Sequence, residues 1–310
     1  PYVLALSGNP MTSRPAQLWP TLNILYPKVF PSFLRYAHAH CRPQRKPWGW
    51  EFKGASNLKE LHELLLDTCM IRRRKQDVLS ELPELRREVI PLTLDSKSMK
   101  EYLGVQNDFR KWLQNNKPEN LRSALKAEAV TKLGYLLKLT GEAKLPLVFD
   151  WIDNLLEYHL DKLVFLVHHV DVVAKLKKRY GVKCVTIEGK TPRKQRQLAV
   201  EKFQTSSKIK LFLGNKAAIA GVTLHAANTL GFGELYFTPG EHSQGEARVH
   251  RIGSKNAVVI NYLIAKNTLE EKMVKLLQSK QCILDQTIDG KDGVSDFSIH
   301  DQLIEHLRKQ

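Results

Sequence analysis

Two arginines three residues apart, Arg248 and Arg251, close a run that reads Ser243-Gln244-Gly245-Glu246-Ala247-Arg248-Val249-His250-Arg251-Ile252-Gly253. On a helix that spacing puts both guanidiniums on one face. Two planar cations side by side suit a phosphate, because each fork can give paired N–H groups to it. Ser243 followed three residues later by Glu246 reads as a capping box, so the helix is expected to begin at Ser243, just after a Pro239-Gly240 turn. Spacing alone leaves another outcome open, a solvated basic helix face. The remaining parts of a nucleotide-hydrolysing site are not found in the chain. No glycine has the spacing of a GxxxxGKS or GxxxxGKT phosphate loop, and no Asp-Glu dipeptide is present to hold Mg²⁺. By itself the chain is not expected to hydrolyse ATP.

A parallel sheet could position such a helix, and the apolar runs point to one. Leu163-Val164-Phe165-Leu166-Val167 reads as a strand buried on both faces. Further strands are expected at Val182–Ile187, Ile209–Leu213, Glu234–Phe237 and Val258–Leu263. Helices are expected around Val172, Val173 and Leu176, after Thr191-Pro192 (a cap followed by proline in the first turn), and over Thr268–Leu277. Strand–helix alternation over this stretch indicates an α/β fold with a parallel sheet. Before it, Leu58, Leu61, Leu64 and Leu65 share one helical face, and residues 95–141 read as a helical insertion broken at Asn115-Asn116-Lys117-Pro118. The opening Pro1–Leu6 reads as a buried strand. Asp285–Gly293 reads as a linker, and Ile299–Leu307 as a last amphipathic helix.

The chain has 310 residues, 43% of them hydrophobic, and carries 48 Lys and Arg against 32 Asp and Glu, a net charge of +16. That balance favours a polyanionic partner, since neutralised phosphates release counterions. Four cysteines without a CxxC pair argue for a reducing compartment and against a disulfide scaffold. His38, His40 and Cys41 lie close together but lack an evident fourth ligand for a metal. No apolar run approaches the roughly 20 residues of a membrane span.

The run from Gln244 to Gly253 resembles the last helicase motif of the Swi/Snf-type ATPases, a branch of superfamily two. Other signatures of that family follow in its order. Leu6-Ser7-Gly8-Asn9-Pro10 with Ser13-Arg14-Pro15 resembles the third motif, and Met70 to Leu79 with Leu82-Pro83 resembles the segment leaving the first lobe. Phe165 to His169 is similar to the fourth motif, and Ile187 to Thr191 with Arg196 and Phe203-Gln204 to the element after it. Ala217–Leu224 and Glu234–Gly240 resemble the fifth motif and its sequel. Pro47-Trp48-Gly49-Trp50 with Gly54 to Leu58 is similar to the annealing-helicase, HepA-related fork remodellers. Read as single residues, Trp48 and Trp50 are expected to close a small helical core.

The resemblance implies a RecA-like helicase C-terminal lobe over residues 142–280. Residues 1–94 would end a first RecA-like lobe, 95–141 would be the helical insertion, and 281–310 a linker and brace. It implies Arg248 and Arg251 as catalytic arginine fingers, and Gln244 and Gly221 beside the nucleotide. DNA contacts fall by position on His168, His169, Gly189, Lys190, Thr191, Arg193, Asn215 and Lys216, with one arginine of Arg72-Arg73-Arg74 structural. The implied cofactor is ATP with Mg, its phosphate loop and Mg ligands lying in an N-terminal half outside this chain. The implied partners are duplex or forked DNA, read without sequence preference, and the protein's own N-terminal ATPase lobe, in a monomer. The implied location is the nucleus in a eukaryote and otherwise the cytoplasm. Asn9, Gly245 and Ala247 depart from the Thr, Ala and Asp usual at those positions, and Asn215-Lys216 from a usual Ser or Thr. Loss of catalysis, leaving a DNA-binding scaffold of the same fold, is the alternative these departures raise.

Overall fold

The computed structural model describes residues 3–47, 49–116, 123–158 and 162–290. It divides into two compact units. One holds the chain up to Leu82, Tyr236–Gln244 and the residues from Val274; the other holds Pro83–Leu235 and Gly245–Met273.

The first unit is mainly helical. It carries α1 (Trp19–Leu25), α2 (Phe33–His40), a two-stranded hairpin of β1 (Gln44–Lys46) and β2 (Gly49–Glu51), α3 (Leu58–Thr68) and α4 (Lys75–Val78). Leu61 and Leu65 of α3, on the face foreseen from the leucine spacing, join Met11, Leu22, Phe30, Tyr36, Leu284 and Ile288 in one core. The opening segment is not a strand. Val3, Leu4 and Leu6 are exposed and make no strand pairing among the described residues, and a strand without a neighbour has nothing to hold it. Arg72-Arg73-Arg74 precedes α4 rather than forming helix. Arg72 Nε donates to Asp289 Oδ1 at 2.8 Å, Arg74 pairs with Asp77 through two bonds of 2.7 and 3.0 Å, and Arg73 is exposed.

The second unit is a six-stranded, all-parallel sheet in the order β3-β8-β7-β4-β6-β5. Its elements run β3 (Leu85–Leu92), α5 (Ser96–Asn116), α6 (Ser123–Ala143), α7 (Leu145–Tyr158), β4 (Leu163–Leu166), α8 (Val170–Tyr180), β5 (Cys184–Ile187), α9 (Arg193–Thr205), β6 (Leu211–Gly214), α10 (Lys216–Ile219), β7 (Thr229–Phe232), α11 (Pro239–Val249), β8 (Val258–Ala265) and α12 (Leu269–Asp289). Helices α11 and α12 are divided between the units. Strands β4, β6 and β7 are buried throughout, β4 and β6 as their apolar runs require and β7 although Thr229 and Gly231 interrupt its apolar residues. Val148 and Ile152 of α7 and Val173 and Leu176 of α8 pack onto Phe165, Leu211 and Leu213.

Three further elements differ from expectation. β3 was not foreseen; it is an edge strand, which is where its Pro91 is tolerated. Glu234–Phe237 is not a strand, and β7 lies earlier. The N–H of Tyr236 bonds to His242 Nε2 at 3.2 Å and the carbonyl of Phe237 accepts from Lys280 at 3.2 Å, so side chains take the backbone groups a sheet would use. Asp285–Asp289 continues α12 instead of opening a linker. The expected last helix, Ile299–Leu307, and the break at Lys117-Pro118 lie outside the described residues.

Lys144 is buried in this unit and donates to both oxygens of Glu270, at 2.6 and 2.8 Å, and to the carbonyl of Leu263 at 2.8 Å. Burial pushes the Glu270 carboxyl up, against the pull of Lys144. Lys144→Met is expected to lower the unfolding free energy by about 3–5 kcal/mol, because it leaves a buried carboxylate unpaired. The double change Lys144→Met with Glu270→Leu should recover most of that loss. Denaturant titration of the three proteins checks both.

Candidate nucleotide and nucleic-acid site

Helix α11 begins at Pro239, not at Ser243. Thr238 Oγ1 accepts from the N–H of Glu241 at 3.4 Å, and proline is well placed in a first turn because it has no N–H to leave unsatisfied. Glu246 is therefore no capping residue. Its carboxylate is buried, accepts from Arg87 Nε and Nη2 at 2.9 and 2.8 Å, and takes a third bond from the Tyr262 hydroxyl at 2.7 Å. Gly245, where the family usually has Ala, lies against the sheet. A Cβ there would meet Phe232 at 3.0 Å and Leu166 at 3.1 Å, so the helix rests closer than an alanine would allow without a shift.

The helix ends at Val249, so Arg251 lies beyond it rather than one turn along its face. Ser254 causes this ending. Its hydroxyl donates to the Val249 carbonyl at 2.7 Å and accepts from the Arg251 N–H at 3.1 Å, and Gly253 turns the chain at φ +101°. Arg248 is half-buried. Its carbonyl accepts from the Leu224 N–H at 2.9 Å and its Nη1 donates to the Val222 carbonyl at 3.4 Å, while its buried Nε has no partner among the described residues. Burial, then the neighbouring Arg251 cation, hold the Arg248 guanidinium below its usual value. Gly221, exposed and at φ +72°, precedes Val222 in the loop that Arg248 touches. The two arginines and the Gly221 loop thus come together. Gln244 is exposed on the part of α11 that belongs to the first unit. An unpartnered buried donor beside a second cation fits an anionic group such as a nucleotide phosphate.

The other expected contacts lie after β4, β6 and β5, which are adjacent and parallel, so their C-terminal ends share one edge of the sheet. Arg196 of α9 fastens two of these loops. Its guanidinium donates to the carbonyls of Thr191 (2.9 Å), Glu188 (3.0 Å), Gly189 (3.3 Å) and Ala217 (3.0 Å). Gly189, Lys190 and Arg193 are exposed, and Thr191 is half-buried. Thr191 does not cap α9; its hydroxyl accepts from the Glu188 N–H at 2.9 Å and closes the turn before the helix. Asn215 is buried and caps α10 through a bond to the Ala217 N–H at 3.1 Å, leaving Lys216 exposed.

His168 and His169 differ from the rest. Their N–H groups donate to Glu234 Oε2 at 2.8 and 2.9 Å, and His169 Nδ1 donates to Glu234 Oε1 at 2.6 Å. A buried carboxylate from beyond β7 thus occupies the place at the start of α8 where these N–H groups were expected to meet DNA. Glu234, Arg196 and Arg87 act through side-chain bonds made across the fold, and no local spacing rule announces them. Among the described residues no cluster of His, Cys, Asp or Glu has the convergence of a metal site. His40 and Cys41 are buried and His38 is exposed. Among the described residues no helix is long and apolar enough to cross a membrane.

The chain matches the SNF2-related domain family over residues 1–140 and the helicase conserved C-terminal domain over residues 148–253. It belongs to the SNF2-related helicases. This SNF2-related chain is 35% identical, over 92% of its length, to the SWI/SNF-related matrix-associated actin-dependent regulator of chromatin subfamily A-like protein 1 of Xenopus tropicalis. It is 34% identical, over 93% of its length, to the DNA annealing helicase and endonuclease ZRANB3 of Mus musculus. It spans 30% and 27% of the lengths of those two relatives. Among solved structures it is similar to the SWI2/SNF2 ATPase core of Sulfolobus solfataricus in complex with dsDNA, with a TM-score of 0.55, 21% identity, and coverage of 94% of this chain and 63% of that one. That likeness bears on the RecA-like fold.

Burial pushes the Glu234 carboxyl up, but the hydrogen bond and charge of His169 and the N–H bonds outweigh it, and the group sits below the usual carboxylate range. A depressed carboxyl stabilises the fold above its unfolded pKa of about 4.3, and that contribution is lost as pH falls through the folded value. Glu234→Gln should therefore cost roughly 1–3 kcal/mol at pH 6, and the gap from wild type should narrow toward pH 3. Denaturation at the two pH values measures it.

Proposed function

We propose that this chain is the second half of an ATP-dependent DNA translocase that remodels or anneals duplex and forked DNA. The observation that carries the reading is the pairing of Arg248, with its unpartnered buried Nε, and Arg251 beside the Gly221 loop. In this reading Arg248 and Arg251 meet the phosphates of ATP held with Mg²⁺ by an N-terminal lobe, and Gly221 borders the nucleotide. ATP supplies the free energy of phosphoryl transfer. The residues of this chain supply positive charge that is already in place as negative charge moves onto the leaving phosphate. Gly189, Lys190, Thr191, Arg193 and Lys216 follow one strand's backbone without reading bases, and Asn215 shapes the loop that presents Lys216. Names of the relatives favour annealing and chromatin-linked work, hence a nuclear address in a eukaryote.

DNA-stimulated ATP hydrolysis by the intact protein tests the nucleotide half of this reading. Arg251→Ala should lower kcat about 10³-fold or more with the fold intact; turnover within a few-fold of wild type would exclude the arginine-finger role. Lys190→Glu and Arg193→Glu should each weaken duplex binding across all sequences. Each should also flatten the salt dependence by about one unit of slope, measured by anisotropy at several salt concentrations.

A further inference from the structure

The hairpin β1–β2 is absorbed by none of the roles above. Its tryptophan does not close a core: Trp50 is 51% exposed. Trp48 lies outside the described residues. Trp50 ends a series of edge-on rings in which Trp19 meets Phe33 at 5.4 Å, Phe33 meets Phe52 at 5.7 Å, Phe52 meets His38 at 5.4 Å, and His38 meets Trp50 at 4.9 Å. The series braces the indole from one side while leaving half of it in water. Arg45 stands directly opposite Trp50 in the antiparallel register, so both side chains leave the same face of the hairpin. The surroundings are strongly basic. Lys28 to Lys59 contains seven Lys and Arg against one carboxylate, Glu51, and that carboxylate is paired with Lys53.

Such a surface calls for a partner that is both polyanionic and flat-faced. In duplex DNA the base faces are covered by stacking, whereas an unpaired strand presents them beside its phosphates. We propose that this hairpin is a second nucleic-acid contact, at which an unpaired base stacks on Trp50 while Arg45, on the same face, takes a flanking phosphate. The proposal rests on the reading of the chain as part of a DNA motor, and it adds where unpaired DNA is held.

The test is anisotropy with the chain itself and three labelled probes: an oligo(dT) of about 20 nucleotides, an abasic strand of the same length, and a duplex. Wild type should bind oligo(dT) roughly 10- to 100-fold more tightly than the abasic strand, the range expected of one or two stacked bases. Trp50→Ala should abolish that difference and leave duplex and abasic binding unchanged. Trp50→Phe should retain most of it, and Arg45→Glu should weaken both single strands. The proposal is overturned if Trp50→Ala binds oligo(dT) as wild type does, or if it loses oligo(dT) and duplex equally, which would make the hairpin a backbone clamp. A wild type that binds duplex but does not distinguish oligo(dT) from abasic DNA would overturn this contact alone. One that binds none of the three probes would overturn the DNA-motor reading with it.

Discussion

A single buried carboxylate, Glu246, sets where the arginine-bearing end of α11 emerges. Its charge is excluded from water, and such a charge is tolerable only if its lone pairs are taken up. Arg87 on β3 and Tyr262 on β8 take them up with three bonds between 2.7 and 2.9 Å. Burial, and then the Glu246 charge, raise the Tyr262 hydroxyl well above its usual range, so it stays a donor. These bonds have a fixed geometry, so this part of the helix cannot rotate without breaking them. Gly245 adds a second constraint, a close approach to Phe232 and Leu166 that lets the helix rest deep on the sheet. Arg248, two residues after Glu246, inherits its direction from both.

The same logic recurs at the loops. Arg196 collects four carbonyls, Lys162 donates to the carbonyls of Phe203, Ser206 and Ile209, and Glu234 collects two N–H groups and an imidazole. Irregular backbone at strand ends leaves carbonyls and N–H groups that no sheet or helix satisfies, and charged side chains meet them here. Some of the chain's positive charge is therefore internal scaffolding. What the proposed reading leaves for DNA is narrower than the net charge suggests: Lys190 on a fastened loop, and Arg193 and Lys216 at the starts of α9 and α10.

This division explains how far the sequence could be read. Strands β4, β6 and β8 were legible because their mostly apolar runs suit a buried environment, β7 (Thr229–Phe232) was not, and the Arg248–Arg251 pair was legible as a pair. Its geometry was not. Ser243 and Glu246 satisfy a capping pattern, but Thr238 and Pro239 start the helix earlier and Glu246 faces inward, because a cap contributes about 1 kcal/mol and a buried charge with three donors outweighs it. Arg251 could not be placed from the run itself, since Ser254 and Gly253 end the helix from downstream. β3 was hidden by Arg86, Arg87 and Pro91, residues that look like loop until the edge position and the Glu246 partner are known. Trp50 was misjudged as core because aromatic content predicts burial on average and says nothing about which member of a ring series lies at its end.

The unequal setting of the two arginines carries a consequence for how they act. Arg248 is half-buried, held through its own carbonyl and through Val222, and has an orphan N–H; Arg251 is exposed, on a turn after the helix end. Placing two cations together is unfavourable until an anion lies between them, so the fold holds back interaction energy that only a phosphate releases. In the proposed reading, a cation already in place where charge develops accelerates the reaction to the extent that it meets the transition state more strongly than the bound nucleotide. In that reading, Arg248 is the more firmly held of the two cations and Arg251 the more exposed one. With Ala247 standing where the family usually has an acidic residue, the Arg248 guanidinium is held by the Val222 carbonyl at 3.4 Å.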